Sequence, residues 1–162
     1  MRLSERHTLP VPLHHAWAAL NDLAVLQQAL PGCESLLEIA PDEFVGEMGV
    51  PLGLATSRFT IHVHRRDVDA PRACTLHFET RTAGTGGTGS AALSLAPDGA
   101  DATTLLAEIA VQVEGLLATL GSPLIEPVAH RMADEFFARL RAATVARHAG
   151  DDAPTAARHA SA

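Results

Sequence analysis

The chain has 162 residues, 47% of them hydrophobic, with 12 Lys+Arg against 19 Asp+Glu and a formal net charge of −7. That length suits one domain, which buries roughly 70% of its unfolded surface, and the apolar content excludes a disordered chain. The acidic balance and the lack of a Lys/Arg cluster exclude a nucleic-acid binder, because a phosphate backbone needs a basic surface.

Residues 3 to 11 read as a strand: Leu3, His7, Leu9 and Val11 share one parity, while Arg2, Ser4, Arg6 and Thr8 share the other. After Pro12, Leu13, Trp17 and Leu20 lie three or four apart and predict a short helix. Asn21 or Asp22 can cap a second short helix to about Leu30, which Pro31-Gly32 ends. The apolar period then changes to two. Six candidate strands follow: ESLLEIA, DEFVGEMGV, SRFTIHVHRRDV, CTLHFETR, SAALSLA and TTLLAEIAVQVEG. Their alternation, as in Phe59, Ile61 and Val63 against Thr60, His62 and His64, predicts hairpin-linked strands with one buried face.

The last segment is helical, with Ser122 as cap and Pro123 in the first turn. Leu124, Val128, Met132, Phe136 and Leu140 recur every four residues, and Pro127 should loosen the first turns. Residues 1–148 are expected to form a single domain and 149–162 a disordered tail. The expected fold class is α+β. A curved antiparallel sheet of about seven strands wraps a long C-terminal helix, which is the one element able to cover its apolar face.

Residues 83 to 95, AGTGGTGSAALSL, contain a literal G-x-G-x-x-G at Gly84, Gly86 and Gly89. A dinucleotide loop must pass from a strand into a helix whose N-terminus receives the pyrophosphate. These glycines lead instead into a strand-period segment, so they read as a bulge, a bend or a close backbone approach in a sheet. His62 and His64 share a strand face. A tight turn at Ala70-Pro71 would set His64 opposite His77 and His62 opposite Glu79, on a face expected to meet solvent, and no metal site is assigned. Cys33 has no histidine near it in the chain and Cys74 sits in a strand, so both read as structural thiols. Two cysteines make no disulfide framework and are too few for a four-thiolate cluster; no cofactor is expected. The opening MRLSERHTLP lacks a signal-peptide core, and no stretch approaches the ~20 apolar residues of a membrane span. The expected location is cytoplasmic, with peripheral membrane contact left open.

Glu5 and His7 fall in register with Leu3 and Leu9. Facing inward, they would be polar groups in an apolar chamber, able to orient a ligand or act as acid and base. At an exposed edge they would do neither. With one Trp, five Phe and no Tyr, bulky filling is scarce, which points to open space between sheet and helix.

Several blocks taken in order resemble a known family. P12-L-H-H-A-W17-A-A-L20-N-D22 is similar to the first-helix signature of the START-like, or SRPBCC, superfamily. L30-P31-G32-C33-E34, G84-T-G-G-T-G89, V113-E-G115-L-L-A118-T-L120-G121 and F136-F137-A-R-L140 resemble the CoxG family of carbon monoxide dehydrogenase subunits, over about residues 1 to 145. The resemblance implies a helix-grip fold with an apolar cavity and a non-catalytic accessory role beside a molybdenum hydroxylase. It also implies a lipophile such as a quinone as ligand, with recruitment to the inner face of the cytoplasmic membrane. The expected cavity residues are His7, Leu9, Phe44, Met48, Phe59, Ile61, Phe78, Leu93, Leu105, Ile109, Val128, Met132 and Phe136. The apolar turn Val50-Pro51-Leu52-Gly53-Leu54 is a candidate rim or membrane-touching lip. Two features depart from the family: the tail is short and polar, and His7 stands where relatives place an apolar residue. The rival readings are a cyclase-, dehydratase- or hydrolase-like enzyme using Glu5 or His7, and a structural adaptor whose interior is filled by side chains.

Overall fold

The computed structural model describes residues 1–160, with side chains described through Asp151. In chain order the elements are β1 (Arg2–Leu9), α1 (Leu13–Leu20), α2 (Leu23–Ala29), β2 (Cys33–Ala40), β3 (Glu43–Leu52), β4 (Ala55–Asp69), β5 (Ala73–Thr82), β6 (Thr85–Pro97), β7 (Thr103–Gly115), α3 (Leu116–Leu120) and α4 (Ser122–Ala160). The seven strands form one antiparallel sheet in the order β1-β7-β6-β5-β4-β3-β2. Strand β1 thus leaves the sheet at one edge, α1 and α2 carry the chain across, and β2 re-enters at the other. The remaining strands return by hairpins to close beside β1, and α4 then lies over the inner face.

The strand expected over 3–11 stops at Leu9, because Pro10 has no N–H to continue the ladder. Asp22 caps α2 by accepting the Ala24 amide at 2.9 Å. It also accepts Arg147 Nε of α4 at 3.0 Å, tying the two helices together. Burial alone would raise its pKa, but the Arg147 hydrogen bond, the Ala24 and Val25 amides and the Arg147 charge outweigh it and hold the carboxyl below its ordinary value.

The helical stripe differs from the four-residue pattern in the sequence. Each four-residue step overshoots a turn by about 40°, so Leu124 is exposed and Leu140 fully buried. The stripe that reaches the core is Ala133, Phe137, Leu140 and Ala143, spaced by three and four. Its alanines let α4 approach α1, α2 and β1. The N-terminal half of α4 instead stands off the sheet, with Ile125, Val128 and Met132 half-buried. Most of the expected tail lies outside the described side chains. Residues 149–151 are helical, and Asp151 accepts Arg147 Nη1 at 3.2 Å.

Gly84 makes the turn between β5 and β6 with φ 70°, and Gly86 and Gly89 lie inside β6. Its register against β5 and β7 passes without a shift, so there is no bulge. Gly84 serves the bend, and Gly86 and Gly89 serve close approach. A Cβ on Gly89 would sit 2.4 Å from Phe78 Cζ and 2.6 Å from the Ala110 carbonyl oxygen, and one on Gly86 would sit 2.3 Å from the Thr80 carbonyl oxygen.

An apolar cavity between the sheet and the terminal helix

Strands β3 to β7 curve beneath the raised half of α4 and enclose a cavity of about 320 Å³. That lies at the lower end of ligand-pocket volumes. Alternation explains the wall: on each strand every second side chain points inward. Strand β3 contributes Phe44 and Met48, β4 Phe59 and Ile61, β5 Phe78, β6 Leu93 and β7 Ile109. From α4 come Val128, Met132 and Phe136. The Phe78 ring lies across Gly89, whose missing side chain makes its seat.

Three residues expected in the wall are elsewhere. Leu9 and Leu105 are buried in the solid core beside α1, because β1 and the start of β7 lie under the tightly packed half of α4. His7 stacks on Phe137 with ring centroids 4.3 Å apart, and its Nε2 is 3.0 Å from Glu5 Oε2. Phe137 lines the cavity, and His7 covers it from the β1 side, so neither Glu5 nor His7 reaches the apolar space. Their side chains are 18% and 31% exposed.

Sequence reading misses the α2 exit, Leu26, Leu30 and Pro31, which forms part of the wall because the chain there crosses the sheet's end. It also misses Arg65. Period two from Phe59 through Ile61 and Val63 places residue 65 on the inner face, and the arginine there breaks an apolar series. Among the described residues, Arg65 is the one charged side chain lining the cavity. Its Nε and Nη2 donate to Asp42 Oδ1 at 2.8 and 2.6 Å, and its Nη1 donates to Asn21 Oδ1. Asn21 is held in turn by its own Nδ2, which donates to the Trp17 carbonyl at 2.8 Å. The guanidinium sits 5.8 Å from the centre of the Phe44 ring. Thr80 is the other polar side chain that lines the space, and its hydroxyl donates to the Gly87 carbonyl at 3.4 Å.

The two ends of the cavity differ. Arg65, Asn21 and the β2–β3 turn occupy one. At the other, the β3–β4 hairpin, α3 and the start of α4 come together, with Leu52, Leu117 and Ile125 in the wall. Next to these, Leu54, Leu116, Leu120 and Leu124 are exposed. This collar includes the sequence-predicted lip.

Neither thiol is held as a thiolate: both pKa values lie above the ordinary value. Burial pushes Cys33 up and the Glu34 charge adds to that, only partly opposed by a hydrogen bond from the Ser35 backbone. Burial likewise pushes Cys74 up, against the nearby Arg65 charge. On the outer face His64 is opposite His77 and His62 opposite Glu79, as expected, although the turn takes three residues and a bulge between Arg66 and Asp69 restores the register. Among the described residues no group of three or more His, Cys, Asp or Glu is placed to hold a metal ion.

The profile of one family, the CoxG subunit of carbon monoxide dehydrogenase, matches residues 8–145. This chain belongs to that family. No curated protein matches it in sequence. Solved structures share its fold. A conserved protein from Geobacillus kaustophilus superposes with a TM-score of 0.83 at 18% identity, covering 90% of this chain and 95% of the other. The ZhuI aromatase/cyclase from Streptomyces sp. R1128 superposes at 0.67 with 14% identity, covering 91% and 94%. A START superfamily protein from Mycobacterium smegmatis superposes at 0.65 with 11% identity, covering 87% and 94%. The helix-grip fold of this CoxG-family chain is therefore one that occurs with an aromatase/cyclase as well as with START proteins. Among its described residues no helix is long and apolar enough to cross a membrane.

Proposed function

We propose that this CoxG-family protein is a non-catalytic accessory subunit that holds a lipophilic small molecule of the quinone class between its sheet and α4. It would serve a molybdenum hydroxylase of the carbon monoxide dehydrogenase type at the inner face of the cytoplasmic membrane. The observation that carries the reading is the cavity itself: apolar over nearly its whole wall, with its one charged side chain already paired to Asp42 and Asn21. Such a space excludes polar solutes and favours apolar ones by roughly 25 cal/mol per Å² of surface buried, before the costs of association.

The exposed leucine collar supports delivery from a lipid surface, since apolar side chains around a mouth can enter the interface while the ligand passes. The enzyme alternative would need an acid or base at the substrate, and Glu5 and His7 stand behind Phe137. The filled-adaptor alternative is opposed by the open volume.

Native mass spectrometry of protein purified from its own host, followed by organic extraction, tests this. A co-purifying quinone-class lipophile is the expected result. Protein that carries no lipophile and takes up none from a quinone-containing vesicle overturns the reading. Flotation with liposomes checks the collar: Leu54→Ser with Leu124→Ser should lower the bound fraction several-fold, and unchanged flotation removes the membrane step.

A further inference from the structure

The guanidinium of Arg65 has five N–H donors in a fixed fork. Three are used: Nε and one on Nη2 go to Asp42, and one on Nη1 goes to Asn21. One donor on each of Nη1 and Nη2 is left over. Arg65 stands on the inward parity of β4, lines the cavity, and its side chain is 18% exposed. The side chain lines the cavity among Phe44, Leu76 and Leu20, whose side chains carry no acceptor. The acceptor that completes this end can come from the occupant.

The charge at this end also restricts the occupant. Asp42 contacts the guanidinium through one carboxylate oxygen and balances its charge, so the pair is neutral as a unit. A neutral oxygen acceptor gains hydrogen bonds there. An anion meets no net positive charge and must still lose its hydration in an apolar chamber. Length points the same way. From Phe44 beside Arg65 to Leu52 at the mouth, β3 spans roughly 25–30 Å, so a head at Arg65 leaves a long apolar path for a tail.

We propose that Arg65 is the specificity-determining residue of the cavity: it receives the neutral carbonyl-type oxygen of an elongated lipophile, head first, with the tail running to the leucine collar. This rests on the lipophile-binding reading and assigns it a recognition residue, an orientation and a preference for neutral heads over carboxylates.

Three probes separate the two levels. N-phenyl-1-naphthylamine carries no oxygen and reports the apolar space by fluorescence. A decyl-substituted 1,4-benzoquinone carries neutral carbonyls on an alkyl tail. Dodecanoate carries an anionic head on a similar tail. On the wild-type chain the dye should bind, and the quinone should displace it more tightly than dodecanoate. Arg65→Met keeps an apolar stem and removes the donors. It should leave dye affinity within about twofold and weaken the quinone by about tenfold or more, the range for hydrogen bonds to a charged group.

Asp42→Asn gives an independent test. Asp42 has φ 61° in the β2–β3 turn, a left-handed conformation that Asn adopts readily. Removing the carboxylate charge leaves the guanidinium unneutralised, so dodecanoate should bind at least about tenfold more tightly while the quinone changes little. If the dye fails to bind the wild type, the cavity reading falls. If the dye binds but Arg65→Met spares the quinone, or Asp42→Asn gives no gain for dodecanoate, the Arg65 proposal alone is overturned. Should Arg65→Met not fold, the Asp42→Asn result decides.

Discussion

Replacing Gly89 by alanine tests why the glycine run exists. The added Cβ would meet Phe78 Cζ at 2.4 Å, Phe78 Cε2 at 2.6 Å and the Ala110 carbonyl oxygen at 2.6 Å. The ring belongs to a side chain and can swing away, but only into the cavity. The carbonyl belongs to β7, next to the Gly89–Val111 pairing, and moving it disturbs the ladder. Overpacking of this kind typically costs about 1–3 kcal/mol, which for a chain of this size lowers Tm by about 2–4 °C per kcal/mol. Urea unfolding of Gly89→Ala, Phe78→Ala and the double variant gives the coupling. Without the ring, alanine at 89 keeps one clash of two, so the double variant should be less destabilised than the sum, by about 0.5 kcal/mol or more. Dye binding should also weaken in Gly89→Ala, because the displaced ring takes up ligand space. A single variant within about 0.5 kcal/mol of wild type, or strict additivity, would show that Gly89 is not the seat of Phe78.

Ala91 faces the cavity opposite Leu76 and Ile109. Ala91→Phe should fill open space, leave Tm unchanged or raise it by a few degrees, and weaken dye binding at least about tenfold; a lower Tm would mean that the wall was already closed. Leu140 is fully buried under α1 and α2, and Leu140→Ala should cost about 2–5 kcal/mol in urea unfolding, against no measurable loss for Leu124→Ala. Because the folded Asp22 carboxyl lies below its ordinary value, its contribution is fully present above the unfolded carboxylate pKa and is lost as pH falls through the folded one. Asp22→Asn should therefore flatten the acid side of the stability–pH profile and change little at pH 7 beyond the lost Arg147 ion pair. A steeper acid limb in the variant would contradict the assignment.

Strands and their inward faces are readable wherever one face of the sheet is oily and the other wet, as in Phe59, Ile61 and Val63 against Thr60, His62 and His64. The pairing of His64 with His77 matches the tight-turn expectation only because a bulge between Arg66 and Asp69 offsets a three-residue turn at residues 70–72. The site is less legible, and for three reasons. Parity says which face a side chain takes but not what covers that face, so Leu9 and Leu105 read as wall although the closely packed half of α4 covers them. A polar residue breaks an apolar series at Arg65 as it does at Glu5 and His7, but the partners that hold Arg65 at the cavity, Asp42 and Asn21, are distant in sequence and give no local signal. The short helix α3, one turn between two glycines with positive φ, Gly115 and Gly121, has too few residues to carry a period.

The open space follows from how unevenly α4 is held. Beyond Ala133, alanines alternate with Phe137 and Leu140, and the helix descends onto α1, α2 and β1. Before Ala133 the same helix presents Val128, Met132 and Ile125, and no strand of the sheet's centre rises to meet them. Phe78 could fill part of the gap, but Gly89 lets the end of its ring rest against the β6 backbone instead. Each of these choices forgoes packing that a filled core would have. The lost stabilisation is recoverable only when something apolar enters. By linkage, an occupant at a hundred times its Kd would restore about 2.7 kcal/mol. Under the proposed lipophile-binding function, the chain should therefore be most stable with its cavity filled.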